Sequence, residues 1–149
     1  MNFCTVQPSE IPLSLLLEAD PSEAMIQSYL PESLCFAAKD NRQHIVAASV
    51  VKAISSQQAE LLNIAVKPEL QAKGIGSKLL KLTLAQLKER GFHRVELGTG
   101  TFGYQLTFYQ RLGFRVDVVI KDHFINHYAE SIYENRIQHK DMLRLSITL

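Results

Sequence analysis

The chain has 149 residues, 46% of them hydrophobic and 21% charged, enough for one compact domain that buries about 68–70% of its unfolded surface and too few for a second full one. Its 16 basic side chains nearly balance 15 acidic ones, leaving a formal charge of +1, so composition excludes a general nucleic-acid binder and a polybasic membrane anchor. Apolar runs such as Leu15-Leu16-Leu17 fall far short of the ~18 residues of a membrane span, and Met1-Asn2-Phe3-Cys4 lacks the basic-then-apolar order of a signal peptide, so a cytoplasmic location is expected.

Phe3 to Val6 predicts a short strand, and Leu13 to Ala19 a helix. Asp20-Pro21-Ser22-Glu23 offers an N-cap at Asp20, a proline for the first turn and an acid behind it, predicting a second helix to about Tyr29 that Pro31 stops. Leu34 to Lys39 and Ile45 to Ile54 are β-rich around the polar Asp40-Asn41-Arg42-Gln43, the pattern of a hairpin, and Glu60 to Val66 follows as a dense apolar strand suited to the inside of a sheet. Beyond Pro68, Gly74-Ile75-Gly76 opens a helix whose Ile75, Leu79, Leu80, Leu82, Leu84 and Leu87 form a broad apolar face and which Gly91 ends. Arg94 to Leu97 then reads as a strand parallel to the previous one. A short helix from Tyr104 to Leu112 closes at Gly113, and strands at Phe114 to Ile120 and Met142 to Ile147 flank a polar, aromatic and helical insertion from His123 to Gln138. Cys4 and Cys35 cannot make a disulfide framework and are expected as buried free thiols.

The informative piece is Val66 to Leu80, a strand that runs through a glycine-bearing loop into a helix. Unpaired N–H groups in a first helical turn, its positive dipole end and glycines without Cβ atoms suit a phosphate, and Lys73 adds charge. The P-loop pattern fails because Gly76 is not followed by Lys and Ser or Thr, and the dinucleotide pattern fails because Leu79 stands at the third glycine position.

The loop Gln71-Ala72-Lys73-Gly74-Ile75-Gly76 resembles the acetyl-CoA motif, Gln/Arg-x-x-Gly-x-Gly/Ala, of the GCN5-related N-acetyltransferase (GNAT) superfamily. The family's apolar strand before the loop (Leu61 to Val66), its strand after the helix (Val95-Glu96-Leu97) and its Tyr-x-x-x-Gly-Phe segment, here Tyr109 to Phe114, extend the likeness over Leu34 to Phe114. Phe124 to Tyr128 and Ile132 to Asn135 look like an uncharacterised bacterial subgroup. The resemblance implies an α/β (α+β) fold: a mixed sheet of six or seven strands with helices on both faces, splayed after Val66 where acetyl-CoA enters. It implies that backbone N–H groups of Gln71, Ala72, Lys73, Gly74, Ile75, Gly76, Ser77 and Lys78 cradle the pyrophosphate, and that the backbone of Ile64, Ala65 and Val66 pairs with pantetheine. An amine, small-molecule or peptide, would attack the thioester directly, with an N–H near Ile64 stabilising the oxyanion, Tyr109 as the acid and Glu60 as the base. The family's asparagine before the tyrosine is missing from Thr101-Phe102-Gly103-Tyr104-Gln105, so Thr101 or Gln105 is expected in its place.

Three rival readings come from the same residues. Gly98-Thr99-Gly100-Thr101-Phe102-Gly103 matches a dinucleotide-binding Gly-x-Gly-x-x-Gly with Asp117 as the ribose acid, but too little chain follows it for a second mononucleotide half. His123 and His127 share a helical face and His139 follows, but no acidic ligand accompanies them and Phe124 stands at the zinc-protease glutamate position, so no metal is expected and the pair is read as satisfied or exposed, with a pocket role for His127 or Tyr128 as the alternative. The third keeps acetyl-CoA binding without turnover, as a sensor. Glu60, Glu96, Asp117 and Asp122 would favour a cationic acceptor; no nucleic-acid or membrane partner is expected, and the chain is a monomer or a homodimer paired through a late strand.

Overall fold

Apolar, β-branched runs in the first half of the chain pair as four antiparallel strands, which the computed structural model, describing all 149 residues, defines as β1 (Asn2–Val6), β2 (Leu34–Lys39), β3 (Ile45–Ala53) and β4 (Gln58–Val66). The β2–β3 turn is held by Asp40, whose carboxylate accepts the N–H groups of Arg42 at 2.8 Å and His44 at 2.9 Å. Between β1 and β2 lie α1 (Leu13–Leu16) and α2 (Glu23–Tyr29). The N-cap of α2 is Ser22, whose hydroxyl accepts the Met25 N–H at 3.2 Å. This corrects the expectation of Asp20, whose carboxylate is turned to other donors.

After β4 the loop leads into α3 (Ile75–Glu89) and then β5 (Arg94–Gly100), parallel to β4. The remaining elements are α4 (Tyr104–Arg111), β6 (Arg115–Ile120), α5 (His123–His127), the short pair β7 (Tyr133–Glu134) and β8 (Ile137–Gln138), and β9 (Met142–Thr148). Seven strands form one mixed sheet in the order β1-β2-β3-β4-β5-β9-β6. The expected helical insertion is helical only to His127. Asn135 (φ 52°) and Arg136 (φ 63°) are both left-handed, as a two-residue primed turn demands, and so close the β7–β8 hairpin.

Two cores sandwich the sheet. Val6, Leu16, Ile26, Tyr29, Ala48, Val50 and Ala65 pack between α1, α2 and one face, while Leu80, Leu87, Val95, Leu97, Tyr109 and Phe114 pack α3 and α4 on the other. A buried Ser49–Thr83 hydrogen bond of 2.8 Å ties α3 to β3.

The feature that positions the site is a fork. β4 and β5 pair only through Gln58↔Arg94, Ala59↔Val95 and Glu60↔Glu96, after which β4 runs on to Val66 beside β3 alone. The splay therefore opens beyond Glu60, earlier than the expected position after Val66. A bulge in β4 opposite Val50 and Val51 coincides with the opening and adds the local twist that parts the strands.

Candidate active site

The loop between β4 and α3 presents free donors because its own acceptors are used up early. Gln71 N–H donates to the Pro68 carbonyl and Lys78 N–H to the Gly74 carbonyl, so the N–H groups of Ala72 through Ser77 lie between these closed bonds, in the loop and first helical turn where intrahelical acceptors do not exist. Gly74 caps α3 with φ +83°, a left-handed conformation that costs a side-chain-bearing residue about 1–2 kcal/mol. Gln71 contributes through its side chain: Nε2 donates to the Val66 carbonyl at 3.0 Å and ties the loop to the strand.

β4 supplies an open edge. Lys67 N–H donates to the Val46 carbonyl, and the alternation of an antiparallel ladder then turns the backbone groups of Ala65 toward β3 and those of Ile64 and Val66 toward the fork. The Val66 carbonyl is taken by Gln71, so the Val66 N–H and both groups of Ile64 are what remains.

Facing this edge, α4 is closed by a Schellman turn in which Gly113 (φ +103°) donates to Gln110 and Phe114 to Tyr109. The turn fixes Tyr109 at the end of the helix, its ring 8% exposed and edge-on to both Phe108 and Phe114. Burial above all, with a smaller effect of Tyr104, pushes its phenol well above the ordinary value and keeps it a proton donor.

One cavity of about 750 Å³ joins these parts; Ile64, Ala65, Val66, Gln71, Ala72, Gly74, Ile75, Gly76, Ser77, Gln105 and Tyr109 all line it. Lys73, Lys78, Thr101 and Glu60 are not among its lining residues. Lys78 instead lies over the Phe3 ring at 5.1 Å. From the segment lacking the asparagine, Tyr104 and Gln105 reach the cavity and Thr101 does not. Glu60 stands at the crotch of the fork, its Oε2 bound by Arg144 Nη1 at 2.7 Å, and Arg144 also approaches Glu96 at 3.6 Å. Sequence reasoning missed Glu18, Ala19, Lys81 and Arg111, which line the cavity. Lys81 was within reach of it, one helical turn beyond Ser77; nothing local marks the α1 end or Arg111.

The rival glycine pattern has a different purpose. A Cβ at Gly98 would stand 2.3 Å from the Met142 sulfur, at Gly100 2.3 Å from the His139 ring, and at Gly103 2.6 Å from a Glu134 carboxylate oxygen. These glycines admit side chains from β9 and the β7–β8 hairpin, so no phosphate loop forms there and the nicotinamide reading falls. The His139 ring stacks on Phe102 (4.2 Å between centroids), and its Nε2–H donates to the Glu134 carboxylate at 2.9 Å. His123 and His127 stack at 4.3 Å, and burial first, then His127 and Arg144, hold His123 below the usual imidazole value. No three His, Cys, Asp or Glu side chains are placed to hold a metal ion. Cys35 is buried, its thiol pushed up to about 11 by burial, and Cys4 is partly buried. No helix is long and apolar enough to cross a membrane.

Comparison with known proteins agrees with this geometry. The family described as "Acetyltransferase (GNAT) domain" matches residues 31–116. The chain is 39% identical over 136 residues to the uncharacterised N-acetyltransferase YvbK of Bacillus subtilis, covering 91% of this chain and 87% of that one. It superimposes with a TM-score of 0.92 and 39% identity on a structure of the IAA acetyltransferase from Bacillus cereus, covering 99% of each chain. With 35% identity and the same TM-score of 0.92 it matches a GNAT family acetyltransferase from Elizabethkingia anophelis with acetyl-CoA bound, covering 99% of this chain and 97% of that one. The chain thus belongs to the GCN5-related N-acetyltransferase (GNAT) superfamily and is an N-acetyltransferase with acetyl-CoA as co-substrate.

Proposed function

We propose that the enzyme moves the acetyl group of acetyl-CoA to a primary amine, on a small molecule or a peptide, by direct attack on the thioester. The observation that carries this reading is the single cavity in which the free N–H groups of the loop, the open edge of β4 and the Tyr109 phenol meet. The N–H groups of Ala72 to Ser77, with the positive end of α3, hold the pyrophosphate, and Lys81 and Arg111 add positive charge on the same walls. Ile64 and the Val66 N–H take the pantetheine amides as an added strand would. The Ile64 N–H faces the point where charge develops on the carbonyl oxygen.

Tyr109 donates a proton to the departing thiolate, a task that suits a phenol held neutral by burial. Glu60 is the proposed base, acting through water from the crotch of the fork, with Arg144 fixing its carboxylate. No covalent intermediate on the enzyme is needed, because the cavity brings both reactants together.

Isothermal titration with acetyl-CoA, with NADH as the control, tests the reading. Acetyl-CoA should bind and NADH should not, and release of free thiol on adding primary amines should follow. Absence of acetyl-CoA binding would overturn it.

A further inference from the structure

The two edges of the sheet are composed differently. At one end β1 exposes Asn2 and Thr5 and keeps Phe3, Cys4 and Val6 partly or fully covered. At the other, β6 leaves all six of its residues exposed, among them Val118 and Val119 at 53%, Val116 at 43% and Ile120 at 38%. Val116 and Val119 stand beside Leu145 and Leu143 of β9, on the face that α3 and α4 cover, while Val118 and Ile120 stand beside Arg144 and Met142 on the opposite face. A strand apolar on both faces suits the inside of a sheet, yet the outer backbone groups of β6 pair with no other strand. An edge of this kind is a template for one more strand.

The charges along β6 select the occupant. A second copy added antiparallel is related by a two-fold axis normal to the sheet, which keeps each face matched to itself and therefore passes through one residue of the strand. With the axis at Val119, that valine faces its own copy, and Val118 and Ile120 face Ile120 and Val118 of the second copy. Asp117 then faces Lys121 of the second copy, twice over, and Arg115 ends beside the second copy's Asp122. Arg115 and Asp122 belong to no ion pair within the chain, while Asp117 and Lys121 sit in surface pairs with Arg94 and Asp141 that a second partner can share. The bulge between Val116 and Val118 lies outside the regular run 118–120.

Neighbouring registers fail on the same residues. An axis at Val118 sets Arg115 against Lys121, one at Asp117 sets that carboxylate against itself, and one at Ile120 sets Val118 and Val119 against Asp122 and Lys121. Opposite charges directly across a strand pair stabilise it and like charges destabilise it.

We propose that β6 is the interface of a homodimer in which two copies pair antiparallel about Val119 and join their sheets edge to edge. No β6 residue lines the cavity, so the interface stands independently of the acetyl-transfer reading.

Sedimentation equilibrium tests the assembly, and introduced cysteines test the register. The wild type should approach twice the 16.8 kDa of one chain by about 100 μM, where a dimer of micromolar Kd is nearly complete. Val119→Lys sets two ammonium groups against each other on the axis and should hold the protein at the mass of one chain, with acetyl-CoA affinity by calorimetry equal to the parent's. Under mild oxidation Val119→Cys should give a disulfide-linked dimer on a non-reducing gel, because Cα atoms directly opposite across antiparallel strands lie about 4.5–5.5 Å apart. Val116→Cys should not, because in this register its two copies stand roughly 20 Å apart along the strands. The wild type, with Cys35 buried and Cys4 partly buried, is the blank. A wild type with the mass of one chain at every concentration overturns the dimer, and a dimer that survives Val119→Lys overturns its placement on β6. Equal cross-linking of the two cysteine variants overturns the pairing about Val119, and this comparison decides alone where Val119→Lys loses acetyl-CoA binding through misfolding.

Discussion

Gln71 Nε2 donates to the Val66 carbonyl at 3.0 Å, joining the residue that opens the glycine loop to the last residue of the strand that forks. In the proposed cofactor site the glutamine therefore acts indirectly, by setting where the row of N–H groups stands relative to the open edge of β4. A neutral hydrogen bond of this kind contributes about 0.5–1.5 kcal/mol. Gln71→Ala should weaken acetyl-CoA binding by roughly 2- to 12-fold with little change in thermal stability, measured by calorimetry and thermal melting. Unchanged affinity would show that the loop holds its shape without this tie.

Gly100 bears on the discarded dinucleotide motif. Its missing side chain leaves room for the His139 ring, which is also stacked on Phe102 and cannot retreat without breaking that contact. Gly100→Ala should destabilise the protein by about 1–3 kcal/mol, the usual cost of overpacking, and chemical denaturation would read it. NADH binding should be absent before and after the change. A Gly100→Ala protein as stable as the parent would mean that β7, β8 and β9 shift freely.

The contrast between these two positions shows what was legible in the sequence. The loop's geometry was readable because it lies in the backbone, and a left-handed glycine ahead of an apolar helix leaves a local mark at Gly74. Gly98, Gly100 and Gly103 bear the same kind of mark for another reason, fixed by side chains that return from more than thirty residues later in the chain. The crossover and the closing turn of α4 were likewise local in origin, whereas the place of β9 between β5 and β6 was not. The start of the fork was not, since it depends on which residues of β4 and β5 stop pairing, and neither strand changes character at Glu60. Asp20 read as a helix cap by spacing alone, yet besides the Ser22 N–H its donors are Tyr29 and Tyr128, the second contributed by the far end of the chain.

Glu60 is the site residue whose surroundings differ most from the expectation of an acid alone at the head of an apolar strand. Its partner is Arg144, at 2.7 Å, with both side chains largely covered. Glu60→Gln should lower kcat by about 10²-fold or more if the carboxylate takes the proton. A variant that melts earlier but keeps kcat would assign Glu60 to holding Arg144 and nothing else.

Three phenols, Tyr29, Tyr109 and Tyr128, have values raised by burial. In the unfolded chain a tyrosine ionises near pH 10, so above that pH the unfolded state loses protons that the folded state retains. Raised folded values mean that this stabilisation is complete below about pH 10 and is lost as pH rises through the higher range. Each phenol should contribute a slope of about −1.4 kcal/mol per pH unit there. Urea midpoints measured at pH 8, 10 and 11 should be followed by a steep fall above pH 10, less steep in Tyr29→Phe. A midpoint independent of pH across this range would contradict the burial of these hydroxyls.

Tyr109 gives the sharpest test of the chemistry, because its ring and its hydroxyl have separable duties. The ring fills the contact between Phe108 and Phe114, and phenylalanine preserves that packing. The hydroxyl is the proton donor of the proposed mechanism. Tyr109→Phe should therefore fold normally and bind acetyl-CoA as the parent does, while kcat falls about 10²- to 10⁴-fold, the range for removing a positioned acid. Because burial keeps the phenol protonated far above neutrality, the deficit should be constant between pH 6 and 9 when kcat is compared at each pH by thiol release. An activated thioester whose leaving group needs no proton should recover most of the lost rate in Tyr109→Phe. If both thioesters are equally impaired, the hydroxyl positions the substrate rather than protonating the thiolate, and full turnover at every pH would remove Tyr109 from the mechanism.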